Sequence, residues 1–292
     1  MEASNGITAR EQVQIEEANA SGRTPVVFVH GLWLHADSWK PWMEFFRNAG
    51  YAPLAPGWPG DPETVEESRQ HPEAFAGKGI NDVTDHYAAI IRRLAIAPLI
   101  IGHSFGGLIT EKLLGMGLGA AGVAIDAAPF RGVLPLPLSA LKSAFPVLGN
   151  PANRSRAVSL TEAQFRFGFT NALPADEASQ LYQQHAIPAP GRPMFQAATA
   201  NLDFGTEATV NYRNAKRGPL LLISGSEDRT VPFAITNASY KRLRQSQAVT
   251  ELKRFAGRGH SLTIDKGWRE LAEYALDFAR RSEQGISAVG AA

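Results

Sequence analysis

Cysteine is missing from all 292 residues. Its absence excludes disulfides, a thiolate metal site and a cysteine nucleophile. An excess of either charge is missing too. The 29 Lys and Arg face 28 Asp and Glu, a formal +1, so nothing here marks a partner of nucleic acid or of an anionic membrane surface. Long apolar runs are also lacking. No segment nears the roughly 20 residues of a transmembrane helix, and the polar, Glu-bearing N-terminus has no basic-then-apolar leader pattern. A cytoplasmic location is the default expectation. There is no internal repeat and no low-complexity tract. What remains is 44% hydrophobic and 20% charged. That composition and length suit one large α/β domain, or a core with a subdomain.

Apolar runs alternate with helical patterns along most of the chain. Residues 8–20 read as a short polar helix or a mobile arm. Strands are expected at 25–29, 51–55, 97–101, 121–125, 219–224 and 250–255, and helices at 38–48, 81–94 (Asn81 as N-cap), 105–116, 233–244 and 268–281. Residues 61–79 read as an excursion loop. The alternation predicts a mostly parallel, doubly wound sheet. It stops near Pro129 and resumes near Arg217. The expected division is an N-terminal arm (1–24), a core (25–129 and 216–284), a mainly helical insertion (130–215) and a frayed tail (285–292). A long insertion in a regular βα repeat is a candidate lid.

The segment Leu99-Ile100-Ile101-Gly102-His103-Ser104-Phe105-Gly106-Gly107-Leu108 joins an apolar strand, a G-x-S-x-G turn and the start of a helix. A serine on so sharp a turn is strained, and its neighbours two positions away have no room for side chains. At a helix N-terminus it also meets N–H groups that favour developing negative charge. Ser104 is therefore the candidate nucleophile.

A serine hydroxyl needs a base, and the base needs an orienting acid. Behind such an elbow the acid and then the histidine are expected. Asp228, in Gly225-Ser226-Glu227-Asp228-Arg229-Thr230-Val231-Pro232, follows one strand. His260, in Gly257-Arg258-Gly259-His260, follows the next. Each alone reads as a turn aspartate or a surface histidine; jointly and in order they form a site. Asp126, after the 121–125 strand, is a second acid candidate. His103 is expected to point away across the turn, and His30 to brace the first loop by hydrogen bonds. Oxyanion donors are expected from the amides of Phe105 and Leu32, with Gly31 supplying unusual dihedrals.

With the strand-His30-Gly31 loop, GHSFGG, G-S-E-D-x-x-V-P and G-R-G-H, the chain resembles the α/β-hydrolase fold family over nearly its whole core. The resemblance implies a Ser104–Asp228–His260 triad, a Phe105/Leu32 oxyanion hole, a lid and no metal or organic cofactor. It departs from the family at the start, where only about two dozen residues precede the first strand. The leading antiparallel hairpin strands are expected to be reduced or missing. A serine at 104 argues against haloalkane dehalogenase and epoxide hydrolase chemistry.

The insertion is rich in phenylalanine, most of it expected to pack the insertion's own core. Trp33, His103 and Phe130 are the candidate substrate contacts. With no phosphate or carboxylate clamp in the motifs, an apolar ester is the expected substrate and an esterase or lipase-like hydrolase the expected activity. The same machinery serves a lactonase, an amidase, a C–C bond hydrolase or a cofactor-free perhydrolase, and the fold also serves non-catalytic small-molecule receptors.

Overall fold

The computed structural model describes residues 6–285. Its first strand, β1 (Pro25–Val29), shows why the apolar runs are continuous. Val27 and Val29 enter one hydrophobic core, Val26 and Phe28 a second core on the opposite face. The strands β2 (Ala52–Leu54), β3 (Leu99–His103) and β4 (Ala121–Ile125) follow. Two short strands, β5 (Ala157–Val158) and β6 (Ala189–Pro190), form a separate antiparallel ribbon, and β7 (Leu220–Gly225) and β8 (Thr250–Phe255) complete the main sheet. The main sheet has the order β2-β1-β3-β4-β7-β8, and every pair in it is parallel. Among the described residues it has no antiparallel strand, so the leading hairpin is absent there.

Helices cover both faces, as a doubly wound sheet requires. The first core receives α1 (Ala9–Ser21), α4 (Ile80–Ile91), α5 (Phe105–Gly115) and α10 (Phe233–Leu243). The second receives α2 (Lys40–Asn48) and α11 (Trp268–Glu283). There Trp42 stacks on Phe46 at 6.4 Å and meets Phe28 edge-on at 6.3 Å.

The strand expectations hold to within two residues, but several other expectations need correction. Residues 61–79 are not a plain loop; they hold α3 (Val65–Gln70) and a 3-10 turn, Pro72–Phe75. Asn81 is not the cap of α4. Gly79 is, and its amide donates to the Asp82 carboxylate at 2.7 Å. Residues 8–20 take the helical alternative of their expectation: α1 is docked on the core, with Ile15 and Ala18 buried. Of the expected tail, residues 286–292 lie outside the described residues, as do residues 1–5 of the expected arm.

Between β4 and β7 the chain leaves the sheet. It forms α6 (Leu138–Leu148), α7 (Glu162–Gly168), α8 (Ala175–His185) and α9 (Arg192–Thr199) together with the β5–β6 ribbon. The winding direction reverses between β1 and β3, since β1 pairs with β2 on one side and β3 on the other. That reversal opens a crevice at the carboxyl ends of the strands, where α/β sheets collect their ligands.

Candidate active site

Ser104 caps α5 with φ 57 and ψ −121, a conformation that costs an L-residue strain. The turn requires two glycines. A Cβ on Gly102 would collide with the Gly106 carbonyl, and one on Gly106 with the Val29 carbonyl. The Ser104 amide is tied to the Ile125 carbonyl at 2.9 Å, so the elbow is fastened to β4.

The loop after β1 crosses the serine closely. A Cβ on Gly31 would lie 2.8 Å from both the His103 carbonyl and Ser104 Cβ. This corrects the expectation for Gly31, whose backbone is not left-handed. Space demands glycine there, and the left-handed residue is Trp33, φ 64. His30 braces the loop as expected. Its Nδ1 lies 3.0 Å from the Gly31 carbonyl, its Nε2 3.3 Å from Asp61, and its ring stacks on Trp58 at 5.6 Å.

Asp228 sits in the loop after β7. Its Oδ1 accepts from the Thr230 and Val231 amides at 2.7 and 2.8 Å, and its Oδ2 meets His260 Nδ1 at 2.6 Å. Both side chains are fully buried. Burial pushes the Asp228 carboxyl up, but the charge and hydrogen bond of His260 outweigh it and hold it below the usual range. An ionised carboxylate fixed on Nδ1 leaves Nε2 of His260 for chemistry, and Nε2 has no hydrogen-bond partner among the described residues. Contacts of that nitrogen with a serine commonly tighten only once substrate is bound.

The expectation that His103 points away fails. Its ring lies 4.5 Å from that of His260, because strand alternation aims residues 101 and 103 at the face over which the β8 loop folds. Burial, and then the neighbouring His260, drive its pKa well below the ordinary histidine value, so it is neutral there. Phe130 is buried against Tyr212 at 6.1 Å and does not line the crevice; Trp33 does. Asp126, the second acid candidate, is buried with φ 42 and accepts from the Gly225 amide at 3.0 Å.

Two contacts carried no sequence signal beyond a phenylalanine in the insertion. The Phe169 ring stands edge-on to His260 at 4.8 Å, and its carbonyl accepts from the Ser261 amide at 3.0 Å. Ile187 donates its amide to the Trp33 carbonyl at 3.1 Å, beside a bridge between Leu34 and Ala186. The insertion thus touches both the His260 loop and the loop after β1. Where the insertion meets the loop after β1 lies a narrow crevice of about 10 Å³ lined by Leu32, Trp33, Trp58, Ile187 and Pro190; Ser104, Asp228 and His260 are not among its lining residues. A larger depression between α2 and α11 is lined by none of these residues.

No helix of the described residues is long and apolar enough to cross a membrane. No curated protein matches the chain. Solved structures do. A monoacylglycerol lipase of Paleococcus ferrophilus matches at 20% identity and a TM-score of 0.58, over 87% of this chain and 94% of its own. An extracellular alpha/beta-hydrolase from a Paenibacillus species matches at 18% and 0.63, over 87% and 98%. A thermophilic esterase from Thermogutta terrifontis matches at 15% and 0.62, over 89% and 90%. At such identities the likeness is one of fold. The profile of the alpha/beta hydrolase family matches residues 26–274. The sheet, the elbow and that match over most of the chain lead to one conclusion: this protein belongs to the alpha/beta hydrolase family.

Proposed function

We propose that the protein is a serine hydrolase that cleaves a carboxylic ester of an apolar small molecule through an acyl-enzyme. The observation that carries this reading is the buried Asp228–His260 pair, 2.6 Å apart, whose imidazole lies 4.5 Å from the ring of His103, the residue before a serine held at φ 57. Ser104 attacks the carbonyl while His260 Nε2 takes its proton. Asp228 holds the imidazole in the tautomer with the proton on Nδ1 and stabilises the imidazolium that forms. The amides of Phe105 and Leu32 receive the oxyanion; Phe105 opens α5, so its N–H has no partner within the helix. His260 returns the proton to the leaving alcohol, then activates the water that clears the acyl group. The mechanism needs no cofactor.

Residues 130–215 act as the lid over this site. The crevice beside the loop after β1, about 10 Å³, is far smaller than the roughly 300–1,000 Å³ of ordinary ligand sites, so substrate entry requires the insertion to shift. The apolar lining by Leu32, Trp33, Trp58 and Ile187 favours an apolar substrate over a sugar or nucleotide. The lipase and esterase among the matching folds support ester chemistry.

The test is labelling with a fluorophosphonate and turnover of p-nitrophenyl esters, with lactone, amide and diketone panels alongside. Wild type is expected to label and to hydrolyse medium-chain esters. Ser104→Ala is expected to lose both, with turnover down by at least about 10³-fold. Unchanged turnover in Ser104→Ala sinks the nucleophile assignment. Labelling without turnover on any panel favours a receptor instead.

A further inference from the structure

Asp126 is an ionisable group at the centre of the site that the proposed reaction leaves unused. It follows β4 with φ 42, a left-handed conformation that persists only where its surroundings hold it. Its side chain is fully buried. Oδ1 accepts from the Gly225 amide at 3.0 Å, while Oδ2 has no hydrogen-bond partner among the described residues. The groups facing it are Asp228 from the loop after β7, Ser224 within β7, His103 at the end of β3 and His260 after β8. Ligand-type atoms of Asp126, His103 and His260 lie within 4.8 Å of one another. Asp228, bonded to His260 Nδ1 at 2.6 Å, and Asp126, whose carboxyl lies within 4.8 Å of a His260 ring nitrogen, are therefore neighbouring carboxyls around one imidazole.

Two bare carboxylates in that position, both buried from solvent, repel each other strongly. One proton between them turns the repulsion into a hydrogen bond. Donors decide which oxygen carries it. Asp228 already receives three N–H groups, from Thr230, Val231 and His260, which fix it as the anion. Asp126 receives fewer, the Gly225 amide and the facing Ser224 hydroxyl, and its Oδ2 has no hydrogen-bond partner among the described residues. An orphaned buried oxygen is explained at once if it is a hydroxyl donor. The electrostatics agree: burial first, then the negative charge of Asp228, push the Asp126 carboxyl well above the usual range. His103, neutral beside them, supplies no compensating charge.

We propose that Asp126 is a positioning residue that keeps its proton at neutral pH and donates a hydrogen bond from Oδ2 to the Asp228 carboxylate. The bond draws part of the Asp228 charge away from His260. It thereby limits how tightly the imidazolium is held and fixes the plane of the carboxylate that orients the ring. This role rests on the Ser104–His260–Asp228 reading above.

The experiment compares Asp126→Asn, Asp126→Ala and Asp126→Gly by the pH dependence of kcat/KM on a p-nitrophenyl ester. Asparagine keeps both bonds: its Nδ2 donates to Asp228 and its oxygen accepts from Gly225. It also tolerates positive φ. Alanine and glycine lose the donor, and glycine does so without backbone strain, which separates the role from misfolding. The expected result is a fall in kcat of about 10–100-fold for Ala and Gly, the range typical of lost outer partners. In both, the acid limb moves to higher pH, because an undiluted Asp228 charge holds the imidazolium longer. Asparagine is expected to recover most of the activity and to leave the limb where wild type has it. If instead the limb moves to lower pH in Asn, Ala and Gly alike, Asp126 was an anion and the proposal is overturned. Equal losses in all three with an unmoved limb, or no loss in any, overturn it too. A second readout does not need turnover: infrared difference spectra at neutral pH should show a carboxylic-acid carbonyl band in wild type that Asp126→Asn lacks. Failure of the underlying reading appears elsewhere, as residual turnover in Ser104→Ala.

Discussion

Three residues other than glycine take a positive φ among the described residues: Trp33, Ser104 and Asp126. They follow β1, β3 and β4, three neighbours in the sheet, at the carboxyl ends of those strands. Strain of this kind costs about 1–3 kcal/mol per residue and survives only where its surroundings enforce it. Ser104 offers a direct measure. Ser104→Gly removes the strain, whereas Ser104→Ala keeps it. At an ordinary position glycine is less stable than alanine by about 0.5–1 kcal/mol. At 104 the order is expected to invert, with the glycine variant more stable than the alanine variant by about 1 kcal/mol in urea unfolding. The usual order would mean that the elbow stores no strain. At this scale the sequence was legible wherever a residue type announces its own constraint. Gly102 and Gly106 declare the tight turn, and Asp228 and His260 declare themselves by their place after strands. His103 and Asp126 were less legible. Their roles depend on which way a side chain leaves the strand end and on a left-handed backbone at 126, and neither aspartate nor histidine demands either one.

Among elements, the central strands could be read because both faces of the sheet are covered, which leaves no polar residue to break the runs. The helix starts could not. Asn81 is a good cap by type, yet the Asp82 carboxylate reaches back to the Gly79 amide and starts α4 earlier. Nor did pattern alone separate a docked α1 from an arm, because it buries only Ile15 and Ala18 as apolar anchors and adds a polar contact. Glu11 closes a capping box on Thr8, and its other oxygen meets His86 Nε2 of α4 at 2.9 Å, both side chains buried. Burial pushes the Glu11 carboxyl up, but hydrogen bonds from His86 and Thr8 outweigh it and hold it below the usual glutamate range. A carboxyl lowered on folding adds stability above its unfolded pKa, near 4.3, and that stability is lost as pH falls through the folded value. Glu11→Gln is therefore expected to cost about 1–2 kcal/mol at pH 7. The gap to wild type should close as the pH is lowered through that window, read as urea midpoints from pH 7 to pH 3. A gap that stays constant with pH would mean the pair contributes no charge-dependent stability.

For the molecule as a whole, the sequence locates the insertion by the break in βα alternation, but not how it closes on the core. The reason is physical: the joints are largely backbone hydrogen bonds, such as Ile187 to Trp33 and Ser261 to Phe169, which leave no mark on residue type. These joints make the insertion both a wall of the crevice and a brace for the loops that carry Trp33 and His260. If it must shift to admit an ester, fastening one joint should stop entry without disturbing the chemistry. Leu34 and Ala186 face each other across an antiparallel bridge. Flanked by the Ile187–Trp33 bond, they form a non-hydrogen-bonded pair, for which Cα atoms are typically about 4.5 Å apart. That spacing suits a disulfide, and a chain without cysteine gives a clean background for one. The double variant Leu34→Cys with Ala186→Cys is expected to lose at least about tenfold in kcat/KM on a medium-chain ester when oxidised and to recover on reduction, since a bulky substrate then gains or loses its path. Fluorophosphonate labelling should slow in parallel, because the reagent reaches Ser104 by the same route. An oxidised enzyme that turns over as fast as the reduced one would show that the lid opens elsewhere. The remaining joint, between Phe169 and the His260 loop, would then be the mouth, and the Leu34–Ala186 joint the hinge side.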